Sequence, residues 1–312
     1  MLGCLGNCDF SSVQRDRPGG MRIDLHTHSS VSDGTDAPAE LVGKAYAHGL
    51  DVVALTDHDT FDGLDEAAAE GDRLGIAVVR GMELSCSRHG SSVHVLAYGA
   101  DPASPGLAAE MIRVRDGRLG RLAGVLAKLA ALGVPVSEAE VMAQVGSSPS
   151  VGRPHIADAL IKARHVRDRQ EAFDRFLADG GPAHVPRYTI EVGRGIDLIH
   201  EAGGLAVIAH PWGRGRERLL PPSVLGALVH DHGLDGIEVD HQDHDADTRH
   251  RLRALASSLD VLSTGSSDYH GTGKLDHDLG CNTTDPEVFR EMQRRLPPSA
   301  QRPVQPSQRS NP

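Results

Sequence analysis

The chain has 312 residues, 39% of them hydrophobic, enough for one large domain with an insertion or for two domains. Its 32 basic and 43 acidic residues leave a net charge of −11, which argues against a protein that coats nucleic acid. Cys4, Cys8, Cys86 and Cys281 form no CxxC pair and no disulfide framework, and no apolar run reaches transmembrane length, so a reduced, cytoplasmic setting without a membrane partner is expected.

Residues 1–20 lack the basic start and long apolar region of a signal peptide. They are expected to be a disordered extension, with Met21 an alternative start. In Ile23-Asp24-Leu25 apolar and polar residues alternate, and His26-Thr27-His28 follows, which predicts a short buried strand ending in two histidines. Residues two apart share a strand face, so His26 and His28 can reach one ion. Asp33 follows in a Ser/Gly loop. Taken alone, His-x-His is more often a hydrogen-bonded pair than a ligand pair. A helix is predicted from Asp36 to about His48, ended by Gly49. A second strand, 51–56, leads to Asp57-His58-Asp59, and a helix follows over 63–74. Strands are then predicted over 76–79, 81–86 and 92–98, the last two carrying Glu83 and His94.

From about 103 to 190 the pattern is helical: 111–132, 137–145 with Ser137 and Glu140 as a capping box, 154–163 and 168–178. Residues 111–194 hold 13 Lys/Arg and 9 Asp/Glu, a charge of +4, which leaves −15 on the rest. A solvated face explains that charge as well as a binding patch does. A helix is predicted near 190–201. Strands over 205–209, 236–239 and 261–265 then end in His210-Pro211, Asp240-His241 and Ser266-Ser267-Asp268-Tyr269-His270. Short strands alternating with helices predict an α/β fold with a mostly parallel sheet or barrel, whose functional groups gather at the carboxyl ends of the strands. The expected division is an extension over 1–20, a barrel over 21–102 and 191–290, a helical insertion over 103–190, and a disordered tail over 296–312.

Nine residues are candidate metal ligands and catalytic groups: His26, His28, Asp33, His58, Glu83, His94, His210, Asp268 and His270. At three or four protein ligands per open site they suit two or three ions, with Glu83 the natural bridge. The motifs His26-Thr27-His28 with Asp33-Gly34-Thr35, Leu55-Thr56-Asp57-His58-Asp59-Thr60, Gly81-Met82-Glu83, Val93-His94-Val95-Leu96, Ala209-His210-Pro211 and Gly265-Ser266-Ser267-Asp268-Tyr269-His270-Gly271 resemble, in this order, the PHP (polymerase and histidinol phosphatase) superfamily. The resemblance spans residues 21 to about 280. It implies a distorted (β/α)7 TIM-like barrel with a trinuclear metal site at its mouth. It further implies His26, His28, Glu83 and Asp268 around one ion, Glu83, His94 and His210 around a second, and Asp33, His58 and His270 around a third. Manganese is the first choice of ion, with iron or zinc as alternatives.

The insertion, with Gly152-Arg153-Pro154-His155, resembles the 3′,5′-nucleoside bisphosphate phosphatase group, whose relatives also trim short RNA from 5′ to 3′. The implied reaction removes the 3′-phosphate to leave a nucleoside 5′-monophosphate. A water activated by the ions would attack phosphorus in line, with no Ser or Cys nucleophile. Three carboxylates and three divalent ions leave a centre of about +3, which attracts phosphate to an acidic chain. Arg153 and His155 are candidates for gripping the second phosphate, although Pro154 at a first turn also explains the motif as a helix start. His241 and His244 are further candidates at the mouth. Asp24, Asp57 and Asp59 could orient ligands, or serve as turn and cap acids. The segment Trp212-Gly213-Arg214-Gly215-Arg216 could be a mobile loop or a solvated turn. The alternatives are a 5′–3′ exoribonuclease, a histidinol-phosphate-type phosphatase and a metal-binding module without catalysis. A small phosphorylated nucleotide or short oligonucleotide is the expected partner, with no stable nucleic-acid complex.

Overall fold

Strands β1 (Ile23–Thr27), β2 (Val52–Leu55) and β3 (Ala77–Arg88) run parallel to one another. The computed structural model describes residues 20–146 and 148–298, so nearly all of the expected extension and tail lies outside the described residues. After β3 the chain reverses through His89 and Gly90, both at positive φ, as a two-residue hairpin of right-twisted strands requires. The returning strand β4 (Ser91–Tyr98) is antiparallel to β3 and also to β6 (Leu205–Ile208). Strands β7 (Gly236–Asp240) and β8 (Leu262–Gly265) continue in parallel from β6. Seven strands therefore follow one another in the order β1-β2-β3-β4-β6-β7-β8, and a two-residue strand β5 (Ile190–Glu191) adds to the far end of β3. The result is a distorted TIM-like barrel in which one strand runs against the others.

The two ends of the sheet meet at a seam that Asp24 holds. Its buried carboxylate accepts from the Ser267 backbone N–H at 3.0 Å and from that of Gly280 at 2.8 Å. Thr27 bridges to Tyr269, and the Thr284 N–H donates to the Ile23 carbonyl at 2.9 Å. Asp24 therefore closes the barrel, and its side chain does not orient an imidazole.

The strands predicted over 76–79 and 81–86 are one strand. Gly81 reads as punctuation in the sequence, but a Cβ there would lie 2.6 Å from Thr56 Cγ2 and 3.0 Å from the Leu55 carbonyl. The glycine permits close approach to β2 without ending β3. Helices α1 (Pro38–Ala47) and α2 (Leu64–Leu74) cover this half of the sheet. Leu64, Ala67, Ala68 and Gly71 form the stripe that α2 buries. Inside the barrel, Ile23, Leu25, Val52, Ala54, Val79, Tyr98 and Val207 cluster with Phe289 and Met292 of the last helix, which plugs the end where most strands begin.

Between β4 and β5 stand α3 (Pro105–Ala131), α4 (Glu138–Val145), α5 (Arg153–Lys162) and α6 (Arg169–Ala172). The helix predicted over 168–178 switches at Phe173 to a π-helical turn, Phe173–Leu177. Residues from Leu122 to Ala183 form a hydrophobic cluster of their own, apart from the barrel's clusters. The predicted helix near 190–201 is α7 (Val192–Glu201), preceded by β5. Helices α8 (Pro222–His232), α9 (Ala246–Ser258) and α10 (Pro286–Arg295) complete the chain.

Candidate metal centre

Five imidazoles converge on one buried carboxylate. Glu83 lies mid-way along β3 and is 1% exposed. Its Oε2 is 3.3 Å from His26 Nε2, 3.1 Å from His28 Nε2 and 3.2 Å from His58 Nδ1. Its Oε1 is 2.8 Å from His94 Nδ1 and 3.3 Å from His210 Nε2. His94 reaches it diagonally across the hairpin, because Ser85 is the register partner of His94. Asp268 Oδ1 lies 3.5 Å from His26 Nε2, 3.6 Å from His28 Nε2 and 3.4 Å from His270 Nδ1. Asp33 Oδ1 is 3.3 Å from His270 Nε2, and its Oδ2 is 3.7 Å from His58 Nε2. All nine candidate residues thus stand in one connected group. His210 and Asp268 have φ of 30° and 53°, a strained backbone that the surrounding contacts hold in place.

This donor set fits cations. His26 donates from Nδ1 to Glu238 Oε1 at 3.1 Å, and His270 from Nδ1 to the Asp268 carbonyl at 2.9 Å. Their Nε2 lone pairs are therefore left for the centre. His26 Nε2 and His28 Nε2 face each other at 3.0 Å, which two lone pairs tolerate when a cation or proton sits between them. The Nδ1 atoms of His58 and His94 are buried without a hydrogen-bond partner. Burial pushes the His58 and His210 imidazoles down to about 3, so they are neutral, as ligands must be. Burial also opposes charge on His26, yet the carboxylates Glu83, Asp268 and Glu238 outweigh it and hold His26 well above the ordinary histidine range. That surplus of negative charge suits a cation. Four groupings of side chains can each converge on one ion: His28, Asp33, His58 and His270; His26, His28 and Asp268; His58, Glu83 and His94; and His241, Asp268 and His277.

Glu238 was not singled out as a candidate in the sequence. It is fully buried on β7 and uses both oxygens: Oε1 accepts from His26 and the Ser266 hydroxyl, and Oε2 accepts from the His210 backbone N–H at 2.7 Å. A glutamate inside the apolar run Gly236-Ile237-Glu238-Val239 was the available signal. Asp57 and Asp59 act one step further out. Asp57 holds the Asp33 loop through Ser29 and Ser32, whose hydroxyl lies 3.4 Å from His28 Nδ1. Asp59 accepts from the Ser85 N–H and pairs with buried Arg118. Lys274, also missed, sets its ammonium against Asp268 Oδ2.

Three residues expected at the substrate, His241, His244 and His155, make contacts within the protein and are not among those that line the cavity. The Asp243 N–H donates to His241 Nδ1 at 3.0 Å, so His241 Nε2 carries its proton and donates it to Asp268 Oδ2 at 3.1 Å. His241 is fully buried and braces Asp268. His244 is buried against the Val239 carbonyl. His155 accepts from the Gly152 N–H at 3.0 Å and donates to the Ser32 carbonyl at 2.8 Å, which uses both ring nitrogens. With Arg169, which donates to the Asp33 carbonyl at 2.9 Å, His155 ties the insertion to the Asp33 loop. His155→Phe keeps the ring volume and loses that tie. It is expected to weaken manganese uptake ~10–100-fold, the usual loss when a ligand's support is removed. Unchanged uptake in a manganese titration would show that the loop is held without the insertion.

Arg153 does line the cavity, with its guanidinium on Asp179 at 2.6 Å and on the Leu177 carbonyl at 3.0 Å. The cavity is about 920 Å³, within the size range of small-molecule sites, and runs from Glu83, His94 and Asp268 to the insertion. The Trp212–Arg216 segment is an anchored rim. Trp212 is buried and donates to the Leu220 carbonyl at 2.8 Å, while Arg214 and Arg216 face the cavity.

A barrel with clustered histidines and acids at its mouth defines a metal-dependent hydrolase. Residues 24–116 match the PHP domain. The chain is 34% identical to a 3′,5′-nucleoside bisphosphate phosphatase of Chromobacterium violaceum, over 90% of this chain and 99% of that protein. It is also 34% identical to a 5′-3′ exoribonuclease of Haemophilus influenzae, over 80% and 90%. A Bifidobacterium adolescentis protein described as a metal-dependent phosphoesterase superposes with a TM-score of 0.83 at 35% identity, covering 90% of this chain and 98% of that one. The chain belongs to the PHP family and is a metal-dependent phosphoesterase. Among the described residues no helix is long and apolar enough to cross a membrane.

Proposed function

We propose that the chain removes the 3′-phosphate from nucleoside 3′,5′-bisphosphates, leaving a nucleoside 5′-monophosphate and phosphate. The observation that carries this reading is a single cavity with two unlike walls: the Glu83-centred cluster on the barrel side and arginines on the insertion side. One wall suits the phosphoryl group that reacts, the other an anion that stays. Similarity to the bisphosphate phosphatase over nearly its full length supports the same reading.

In this reading all nine residues are metal ligands that hold two or three divalent ions, manganese first. The ions would supply Lewis acidity to a phosphoryl oxygen and acidify water. The protein's own part is to fix the donors. Glu238 orients His26, His241 and Lys274 set the outer oxygen of Asp268, and Asp57 and the insertion hold the Asp33 loop. Elemental analysis of gently purified protein is expected to find two to three manganese-class ions per chain, and chelation is expected to lower Tm because ions bind the folded form alone. Fewer than one ion, with no uptake on manganese addition, would refute this.

A phosphate-release panel with manganese tests the substrate: adenosine 3′,5′-bisphosphate, short 5′-phosphorylated RNA and histidinol phosphate. The bisphosphate is expected to give the highest kcat/KM. RNA is the second reading, favoured by the equal identity to the exoribonuclease. Phe173 is the single phenyl, phenol or indole ring among the described residues lining the cavity, and a row of bases needs several stacking platforms. RNA outpacing the bisphosphate would overturn the proposal.

A further inference from the structure

Most arginines that face the cavity have an acid. Arg118 pairs with Asp59, Arg153 with Asp179, Arg169 with Asp158, and Arg214 with Asp243. Arg121, Arg187 and Arg216 do not: among the described residues no carboxylate lies within 4.0 Å of any of the three. Among the described residues Arg187 donates only to the Tyr188 carbonyl, at 2.9 Å. All three line the same cavity. They come from separate places: Arg121 from α3, Arg187 from the run into β5, and Arg216 from the rim segment whose role the sequence left open. Burial, reinforced by Arg187, Arg153 and Arg118, pushes Arg121 down to about 8. Burial, reinforced by Arg118, pushes Arg187 down to about 10. Arg187 and Arg153 repel Arg121, Arg214 and Arg153 repel Arg216, and three half-buried cations on one cavity without acids of their own call for an anion.

A short chain of contacts runs from the metal centre to Asp179, whose charge acts on all three. His94 Nε2 lies 3.2 Å from the Ser92 hydroxyl, the Ser92 N–H donates to Asp179 Oδ2 at 3.2 Å, and Asp179 Oδ1 takes Arg153. The nearby acids Asp59, Asp179 and Asp243 are already committed to other arginines, so the surplus is about three positive charges.

We propose that Arg121, Arg187 and Arg216 form a phosphate subsite that binds the substrate's non-reacting phosphate dianion, beside the metal centre on its His94 side. The assignment rests on the bisphosphatase reading for its substrate, and on the unpaired guanidiniums for its chemistry. Planar guanidiniums meet phosphate oxygens in pairs, and a dianion offsets more of the surplus than a carboxylate does.

Two measurements on the full-length, manganese-loaded protein test it. Phenylglyoxal labelling, read peptide by peptide with and without sulfate, should show Arg121, Arg187 and Arg216 protected together, while exposed Arg164 is not. Arg187→Gln and Arg216→Gln should each lower the ratio of kcat/KM for adenosine 3′,5′-bisphosphate to that for p-nitrophenyl phosphate ~10–150-fold, the worth of a charge-assisted contact. Lys at either position should restore part of the ratio. Tm should hold or rise in the Gln variants, because each removes a guanidinium that neighbouring arginines repel. Absent sulfate protection, an unchanged ratio, or a fall in Tm with both substrates lost together would overturn the subsite. Sulfate protection in a wild-type protein that shows no preference for the bisphosphate would instead leave the subsite standing, for another phosphate ester, and refute the bisphosphatase reading.

Discussion

Glu83→Gln is expected to cut phosphoesterase activity by about 10³-fold or more while the protein stays folded. Metal ions supply several kcal/mol to such reactions, and each 1.36 kcal/mol is a factor of about ten in rate. Both oxygens of Glu83 are engaged, Oε2 by His26, His28 and His58 and Oε1 by His94 and His210, so one residue joins both halves of the cluster. Glutamine keeps the shape but removes the negative charge and one acceptor. Manganese binding should weaken in step with activity. Asp59→Ala makes the instructive contrast. The Asp59 carboxylate makes no hydrogen bond or ion pair with any of the nine candidate ligands; it neutralises buried Arg118. Leaving that cation unpaired should cost ~3–5 kcal/mol of stability. Unfolding curves and activity assays on the two variants should therefore move in opposite patterns. Equal activity loss at equal stability would refute the assigned roles.

Glu238→Gln is expected to weaken manganese affinity ~10–100-fold, as removal of a carboxylate that orients a histidine ligand usually does. Glu238 accepts the His26 Nδ1 proton and so directs the Nε2 lone pair at the centre. A carboxamide can present its NH₂ to His26 and stabilise the opposite tautomer, which would point a proton into the cluster. Nitrogen-15 shifts of the His26 ring in the metal-free protein, recorded at a pH above the raised titration of His26 where the ring is neutral, report that change without any assay. Excess manganese should restore most of the activity of Glu238→Gln. Unaltered affinity and an unaltered tautomer would show that Ser266 and the backbone suffice to place His26.

Much of the centre was legible because it is local. His26-Thr27-His28 ends a strand, Asp57-His58-Asp59 and Ala209-His210-Pro211 follow strands, and Asp268 and His270 follow the last. Strand ends are where such a fold gathers polar groups, and a short strand declares itself by its apolar run. The same locality misled at Gly81, which looked like a boundary and is a close contact within one strand, and it gave no sign that His155, in a motif that looked like a substrate grip, latches the Asp33 loop. Local sequence carries no record of what approaches from elsewhere.

The sequence by itself determined which side chains could bind cations, that strands and helices alternate, and that a helical segment interrupts them. Tertiary structure decided what those side chains are held by. Glu238 reaches His26 across 212 positions, Asp24 meets Gly280 across 256, and Arg121, Arg187 and Arg216 line one cavity from three separate parts of the chain. A buried carboxylate is tolerable only where distant donors satisfy it, and an unpaired guanidinium is visible only when the acids around it are seen to be taken. Both are properties of the closed barrel and its insertion together, and neither is written in the spacing of residues along the chain.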